Sequence, residues 1–510
     1  MKKRIFYLLI ACISALLIGC SQSKKGQVTY ESVDAVIADA GQAYESGEYA
    51  DALNLYADAI KTNPLSVDAQ LGAAKCQMAL KNYMMASENL SAAAKIDPQV
   101  PEIYDMYLEL ADITNGLYYA RAAVNLAKDN HVESFLARMP KEPSLSLKEG
   151  RYDSRQELSI TAEEGTEIVV TEQNGHTVCS YTYDGNPVRL LSGETTITVY
   201  CTKDGVPSDE VSATYQCQYD PTEIEFSEMA IEMAVRRALD RESGPITDLD
   251  CEGLTSLSCY GYQIRNEQEE DSYAIETLKD LTYFPKLQYV YMDDIAIDTD
   301  LNDLSICKLL STVSLHGCNL SDISFVKKLP QLTYLSVSNN EELTDISPAA
   351  DCKNLSALDI AGTGVTDLSA LYNKEMRELD LSLSDQLNNA ALSNWKNSLN
   401  TLSLYNCGGK DISWLKDYKN LTGLYLYVSR NSRSYDEEAD PLTGLEFLSE
   451  LHSLNSLSLY GLGDASSLES VKSLKKLNYV SFSMNDRDTE IPEDLITELK
   501  NSLPNCTFSY

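Results

Sequence analysis

Basic charge is what this chain has least of for its size: 41 Lys and Arg stand against 77 Asp and Glu in 510 residues, a formal net charge of -36. A surface of that sign repels nucleic acid and anionic membranes, so neither is expected as a partner, and its plain meaning is solubility outside a cell. Histidine is also scarce. Its four residues, His131, His176, His316 and His452, fall in different stretches and do not suggest a zinc site. No Cys-x-x-Cys pair occurs among 13 cysteines, and no glycine-rich phosphate loop or dinucleotide motif is present. The sequence therefore calls for no cofactor and no metal. The apolar run from Ile5 to Ile18 is too short to span a bilayer.

What the chain has instead is repetition. From Leu287 to Phe482 one phrase returns as LQYVYM, LSTVSL, LTYLSV, LSALDI, MRELDL, LNTLSL, LTGLYL, LNSLSL and LNYVSF, at steps of 21 to 23 residues apart from one longer step, Leu421 to Leu454. In a strand alternate side chains point to opposite faces, so Val290 and Met292 are directed inward while Tyr289 and Tyr291 are directed outward. One such edge cannot bury itself, and a stack can. The turn after each strand carries a small or polar residue (Cys318, Asn340, Thr363, Ser384, Cys407, Asn485) suited to the backbone groups the turn leaves open. With LSDIS at Leu320, LTDIS at Leu343 and VTDLS at Val365, the array resembles bacterial leucine-rich repeat proteins of the internalin-like type. The resemblance implies an α/β-type solenoid with a parallel sheet over residues 221–510 and end caps in two helices, near Ser227–Leu239 and Pro492–Ser502. Acidic insertions interrupt the period near Asn266–Tyr273 and Arg430–Leu442.

Earlier in the chain, Ala40, Gly47, Tyr49, Ala52, Tyr56, Ala59 and Pro64 recur 34 residues later as Ala74, Lys81, Tyr83, Ala86, Leu90, Ala93 and Pro98, and Leu108, Ala120, Val124 and Ala127 continue the register. Small residues let paired helices approach closely and the proline ends the second helix of each pair. Residues 32–134 thus resemble three tetratricopeptide repeats, which implies an α-helical solenoid with a peptide- or protein-binding groove. Pro140 and Pro143 then break the helical pattern. The runs LSIT, EIVVT, CSYTY, TITVY and VSATY, separated by Gly- and Asp-rich turns, predict a small antiparallel β-sandwich over 140–219. It resembles the immunoglobulin-like modules appended to chitobiase-type secreted bacterial proteins, for which a spacer role is expected.

At the start, Lys2, Lys3 and Arg4 precede the apolar run, and Leu17-Ile18-Gly19-Cys20 resembles a bacterial lipobox. The resemblance implies a signal peptide at 1–19, lipidation of Cys20, a tether over 20–31 and a lipid anchor as the sole membrane contact. Cell-surface localisation follows as an expectation. The remaining cysteines are odd in number, and those at turn and inward positions read as small buried hydrophobes rather than disulfides.

The candidate site is the outward strand face of the leucine-rich array. About ten strands spaced roughly 4.8 Å apart make a surface on the order of 45 Å long, which suits a macromolecule more than a metabolite. Tyrosine is abundant, 32 against 8 Phe, and it adds apolar contact area and a hydroxyl at little entropic cost. Tyr260, Tyr289, Tyr291, Tyr334, Asp359, Asp380, Tyr405, Tyr425, Tyr427, Tyr460 and Tyr479 are the residues expected to bind a partner, most simply a protein. A glycan stacking on the tyrosines is the alternative, with the chain then serving a polysaccharide-handling or cell-wall system. Asp293, His316 and Ser338 share one column in the order of an acyl-transfer triad. An open face without oxyanion donors argues against an enzyme.

Overall fold

A computed structural model describes residues 32–114, 116–261, 274–384, 387–428, 440–486 and 489–510. The signal peptide, Cys20, the tether and most of both acidic insertions lie outside the described residues. No helix among the described residues is long and apolar enough to cross a membrane. The chain forms two compact units, one of residues up to 144 with 161–168 and 200–211, the other of residues 145–160, 169–199 and 212–510.

In the first unit six helices pair in sequence: α1 (Val33–Glu45) with α2 (Tyr49–Thr62), α3 (Val67–Ala79) with α4 (Tyr83–Ile96), and α5 (Pro101–Ile113) with α6 (Leu117–Asp129). Ser32 and Ser66 cap α1 and α3 by accepting from the amides of Ala35 and Ala69. The repeated alanines do what their spacing predicts. Ala40, Ala52, Ala59, Ala74, Ala86 and Ala93 are all fully buried where helices approach. Gly72 in α3 has a stricter cause, because a Cβ there would come within 2.2 Å of the Tyr56 ring.

The predicted short runs of 140–219 fall on strands. One sheet contains Gly150–Tyr152, Val211–Cys217, Gly193–Lys203, Glu167–Asn174 and Thr177–Thr182 in that spatial order. The pairing departs from a purely antiparallel arrangement: Tyr215 to Cys217 run parallel to Gly150 to Tyr152.

The second unit is dominated by an eleven-stranded sheet running in chain order from Ser256–Tyr260 to Thr507–Ser509, each strand parallel to the next. Every repeat climbs from its strand through a turn to a back segment, usually a short 3-10 helix, and returns one strand further on. Leu335, Leu358, Leu379, Leu402, Leu424 and Leu457 are fully buried in register. Each such side chain contributes about 1.5–3 kcal/mol of burial.

The TDIS-type phrase explains how the back segments begin. Asp322, Asp345, Asp367 and Asp411 each accept from the backbone amide two residues on, at Ser324, Ser347, Ser369 and Ser413. At the turns Asn340 is the most heavily used residue. Its Oδ1 accepts from the amides of Cys318 and Leu320, while its Nδ2 donates to the carbonyls of Leu315, Val337 and Ser338.

The first strand is covered by helix α7 (Met229–Ala238), which buries Ala230, Ile231, Ala234 and Val235. Met229, Met233 and Leu239 pack only partly against the core. Helix α8 (Glu493–Ser502) buries Ile496 and Leu499 near the other end. Eleven cysteines among the described residues are free, ten of them buried. Burial pushes the thiols of Cys259, Cys307 and Cys318 up to about 12, the chemistry of packed side chains rather than reactive ones.

Candidate functional site

Parallel pairing without slippage through the central strands turns the outward residues into columns. One column contains Tyr289, Thr312, Tyr334, Ala357, Glu378, Thr401, Gly423, Ser456 and Tyr479. Beside it runs Tyr291, Ser314, Ser336, Asp359, Asp380, Ser403, Tyr425, Ser458 and Ser481. In a third, Tyr260 aligns with Asp293, Ser382 with Tyr405, and Tyr427 with Tyr460. All eleven residues expected to bind a partner therefore lie on one face of one sheet.

Their exposure is uneven. Tyr289 and Tyr479 are the most open, at 38% and 39%, and the other nine are half-buried. Ser314, Ser336, Ser403, Ser458 and Ser481 also point outward yet are buried. In a parallel stack each small residue has neighbours one strand spacing away on both sides, and larger side chains close over it.

Three tyrosines form a ladder. Tyr405 stacks on Tyr427 with centroids 4.6 Å apart, and Tyr427 on Tyr460 at 5.1 Å, both pairs within 6° of parallel. These separations match the strand spacing, so the rings stand on edge along the sheet. Tyr460 shares a hydrogen bond with Ser481 at 3.0 Å, and Tyr425 donates to Ser456 at 3.1 Å.

Acidity collects at the centre. Asp359 sits on the strand next to the one that carries both Glu378 and Asp380, and Ser336 donates to Asp359 at 2.8 Å. Burial, with Asp359 alongside, pushes the Asp380 carboxyl up to about 7 against the pull of its Ser403 hydrogen bond. Burial also raises Glu378, again with Asp359 adding to it. Asp380 Oδ1 is buried with no hydrogen-bond partner. Tyr334 and Tyr405 flank this group, their hydroxyls raised first by burial and then by neighbouring charge.

The triad-like column resolves differently from its sequence order. His316 Nδ1 meets Ser338 Oγ at 2.9 Å, but Nε2 faces the Asn339 amide at 3.0 Å and Asp294, not Asp293, at 3.9 Å. Ser336 links Ser338 at 3.1 Å to Asp359, making a polar seam across the face. Among the described residues no group of three or more His, Cys, Asp or Glu could hold a metal ion. A cavity of about 530 Å³ elsewhere in the second unit is lined by groups that satisfy one another: Tyr181 with Glu172, Lys308 with Asp184 at 2.7 Å, and Lys286 with Asn174 at 2.7 Å.

The columns, the ladder and the acidic centre were readable as an outward pattern once the register was known. The burial of Asp380 and of the serines was not, since it depends on how neighbouring side chains close over them.

A tetratricopeptide repeat family model matches residues 43–110, and a leucine-rich repeat model of two copies matches residues 308–351. No curated protein matches the chain, and no catalytic family is found. Among solved structures the chain is similar to an internalin (inlF) of Listeria monocytogenes at 20% identity, covering 56% of this chain and 88% of that one with a TM-score of 0.34. An internalin C2 of the same species is similar at 20% identity over 52% of this chain and 97% of that one, with a TM-score of 0.31. The Yersinia enterocolitica type III secretion chaperone SycD, in complex with a peptide of the translocator YopD, is similar at 20% identity over 22% of this chain and 95% of that one, with a TM-score of 0.19. The chain thus carries tetratricopeptide repeats in its first part and leucine-rich repeats in its second, two repeat classes that typically mediate protein interaction.

Proposed function

We propose that this chain is a lipid-anchored bacterial surface protein that binds another protein through the outward sheet face of its leucine-rich repeats, without catalysing a reaction. The observation that carries the reading is the in-register face itself, with tyrosines from Tyr260 to Tyr479 over an open parallel sheet. Its length on the order of 45 Å suits a folded partner or an extended chain. The groove of the helical repeats is a second contact for a peptide segment. The strands of 140–219 act as a spacer, an immunoglobulin-like module between the two arrays. The anchor rests on the lipobox-like Leu17-Ile18-Gly19-Cys20 alone.

The ladder geometry favours protein over glycan. Sugar rings stack on exposed aromatic faces, whereas Tyr405, Tyr427 and Tyr460 cover one another's faces and offer edges and hydroxyls. The test is a Tyr425→Ala/Tyr427→Ala variant of the mature chain, compared with the parent in pull-downs and on glycan arrays. Loss of a protein partner with glycan retention unchanged supports the reading; loss of glycan retention alone reverses it. For the anchor, Cys20→Ser should abolish incorporation of labelled palmitate and release the protein from membranes, and unchanged labelling removes that part.

A further inference from the structure

We propose that the centre of this face, where Asp359, Glu378 and Asp380 lie between Tyr334 and Tyr405, receives arginine side chains from the partner protein, an assignment that rests on the protein-binding reading above. The first support is charge complementarity. No Lys or Arg occurs among the outward residues paired in register from Ser256 to Ser509, so these carboxylates have no cation of their own within the columns. Two of them are register partners, an arrangement that like charges disfavour and that an intervening cation relieves.

The second support is independent of charge count. Asp380 takes hydrogen bonds from Ser403 and Asp359 from Ser336, yet Asp380 Oδ1 remains a buried acceptor with no hydrogen-bond partner. Buried acceptors are nearly always satisfied. A guanidinium entering beside the tyrosines would reach it with one arm of its fork.

The third is a precedent on the same face. Arg237, from the capping helix, lies with Cζ 5.5 Å from the Tyr260 ring centroid, so a tyrosine of this sheet already receives a guanidinium from outside the array. Arginine is preferred to lysine because its planar fork can engage two carboxylate oxygens while lying along an aromatic ring. The net charge of -36 would draw a basic segment in from solution.

The probe is a short fluorescein-labelled peptide of alternating Arg and Gly, with a Lys-Gly peptide as comparison, titrated with the mature full chain at physiological salt and read by anisotropy. Two variants each replace two carboxyl groups by amides: Asp359→Asn/Asp380→Asn at the centre, and Glu493→Gln/Asp494→Asn on the distant helix α8. The expected result is tighter binding of the arginine peptide, weakened about tenfold by the central pair and less than about twofold by the distant pair. Equal losses in both variants, equal affinity for the two peptides, or no binding at all overturns the proposal. Failure of the broader reading looks different: Tyr425→Ala/Tyr427→Ala then loses no protein partner. A natural partner lost with Tyr425→Ala/Tyr427→Ala but retained by Asp359→Asn/Asp380→Asn leaves the protein-binding face intact and removes only the arginine assignment.

Discussion

Asp359 stands directly across from Asp380 on the adjacent strand, so two carboxyl-bearing positions are separated by one strand spacing, roughly 4.8 Å. Burial and this neighbour raise Asp380 to about 7 in the folded chain, with Glu378 adding to the effect. A carboxyl whose folded value lies above its unfolded value of about 3.9 favours the fold fully below pH 4 and loses that contribution as pH rises through 7. Asp380→Asn should therefore be more stable than the parent at pH 8 by on the order of 1–2 kcal/mol, and the gain should shrink steadily toward pH 4. Urea midpoints at pH 5 and pH 8 check this; a difference that does not change with pH refutes it.

The tyrosine ladder predicts an asymmetry between residues of the same type. Tyr427 has a ring stacked on each face, while Tyr289 is 38% exposed. Tyr427→Ala should cost about 1–3 kcal/mol, and Tyr289→Ala less than about 0.5 kcal/mol. Equal destabilisation by the two substitutions in chemical unfolding would mean that the stack contributes nothing beyond ordinary contact.

Asn340→Ala removes both atoms that serve five backbone groups in two adjacent turns. Leaving buried amides and carbonyls unpaired should cost at least about 3 kcal/mol. Asn340→Asp keeps the acceptor for Cys318 and Leu320 but loses the donors, so it should fall between parent and alanine variant. Hydrogen exchange at the amides of Cys318 and Leu320 provides the local readout: it should accelerate in Asn340→Ala more than in Asn340→Asp.

Gly72 offers a case in which helix propensity points the wrong way. Alanine at an ordinary helical glycine gains about 1 kcal/mol. Here the added Cβ meets the buried Tyr56 ring at 2.2 Å, and the loss from overpacking should outweigh the gain by about 1–3 kcal/mol. Thermal unfolding of Gly72→Ala decides the sign. A companion Tyr56→Leu/Gly72→Ala double variant should recover part of the loss.

Both repeat arrays were legible because their physics is periodic. A helix pair that must bury Ala40, Ala52 and Ala59 must bury their counterparts Ala74, Ala86 and Ala93 one repeat later, and a strand phrase fixes inward and outward positions at every return. The runs of 140–219 were legible as strands, but the parallel pairing of Tyr215 with Gly150 depends on which distant segment reaches the sheet edge, and no local pattern encodes that. Within the face, the columns followed from the phrase, and His316 does reach Ser338. Its second nitrogen meets Asn339, which follows Ser338 into the turn with φ near 56° and brings its side-chain amide within 3.0 Å of Nε2. The work of Asp345 and Asp367 as turn caps could have been inferred from the Asp-x-Ser spacing alone.

Because the central strands of the array pair in register and meet through the same few side-chain positions, that part of the sheet has no privileged midpoint at which its geometry must change. A whole turn of the solenoid could be gained or lost while leaving its neighbours with the contacts they already make. The footprint offered to a partner can thus lengthen or shorten in steps of one strand, and two chains of this design with different reach would need no different folding chemistry.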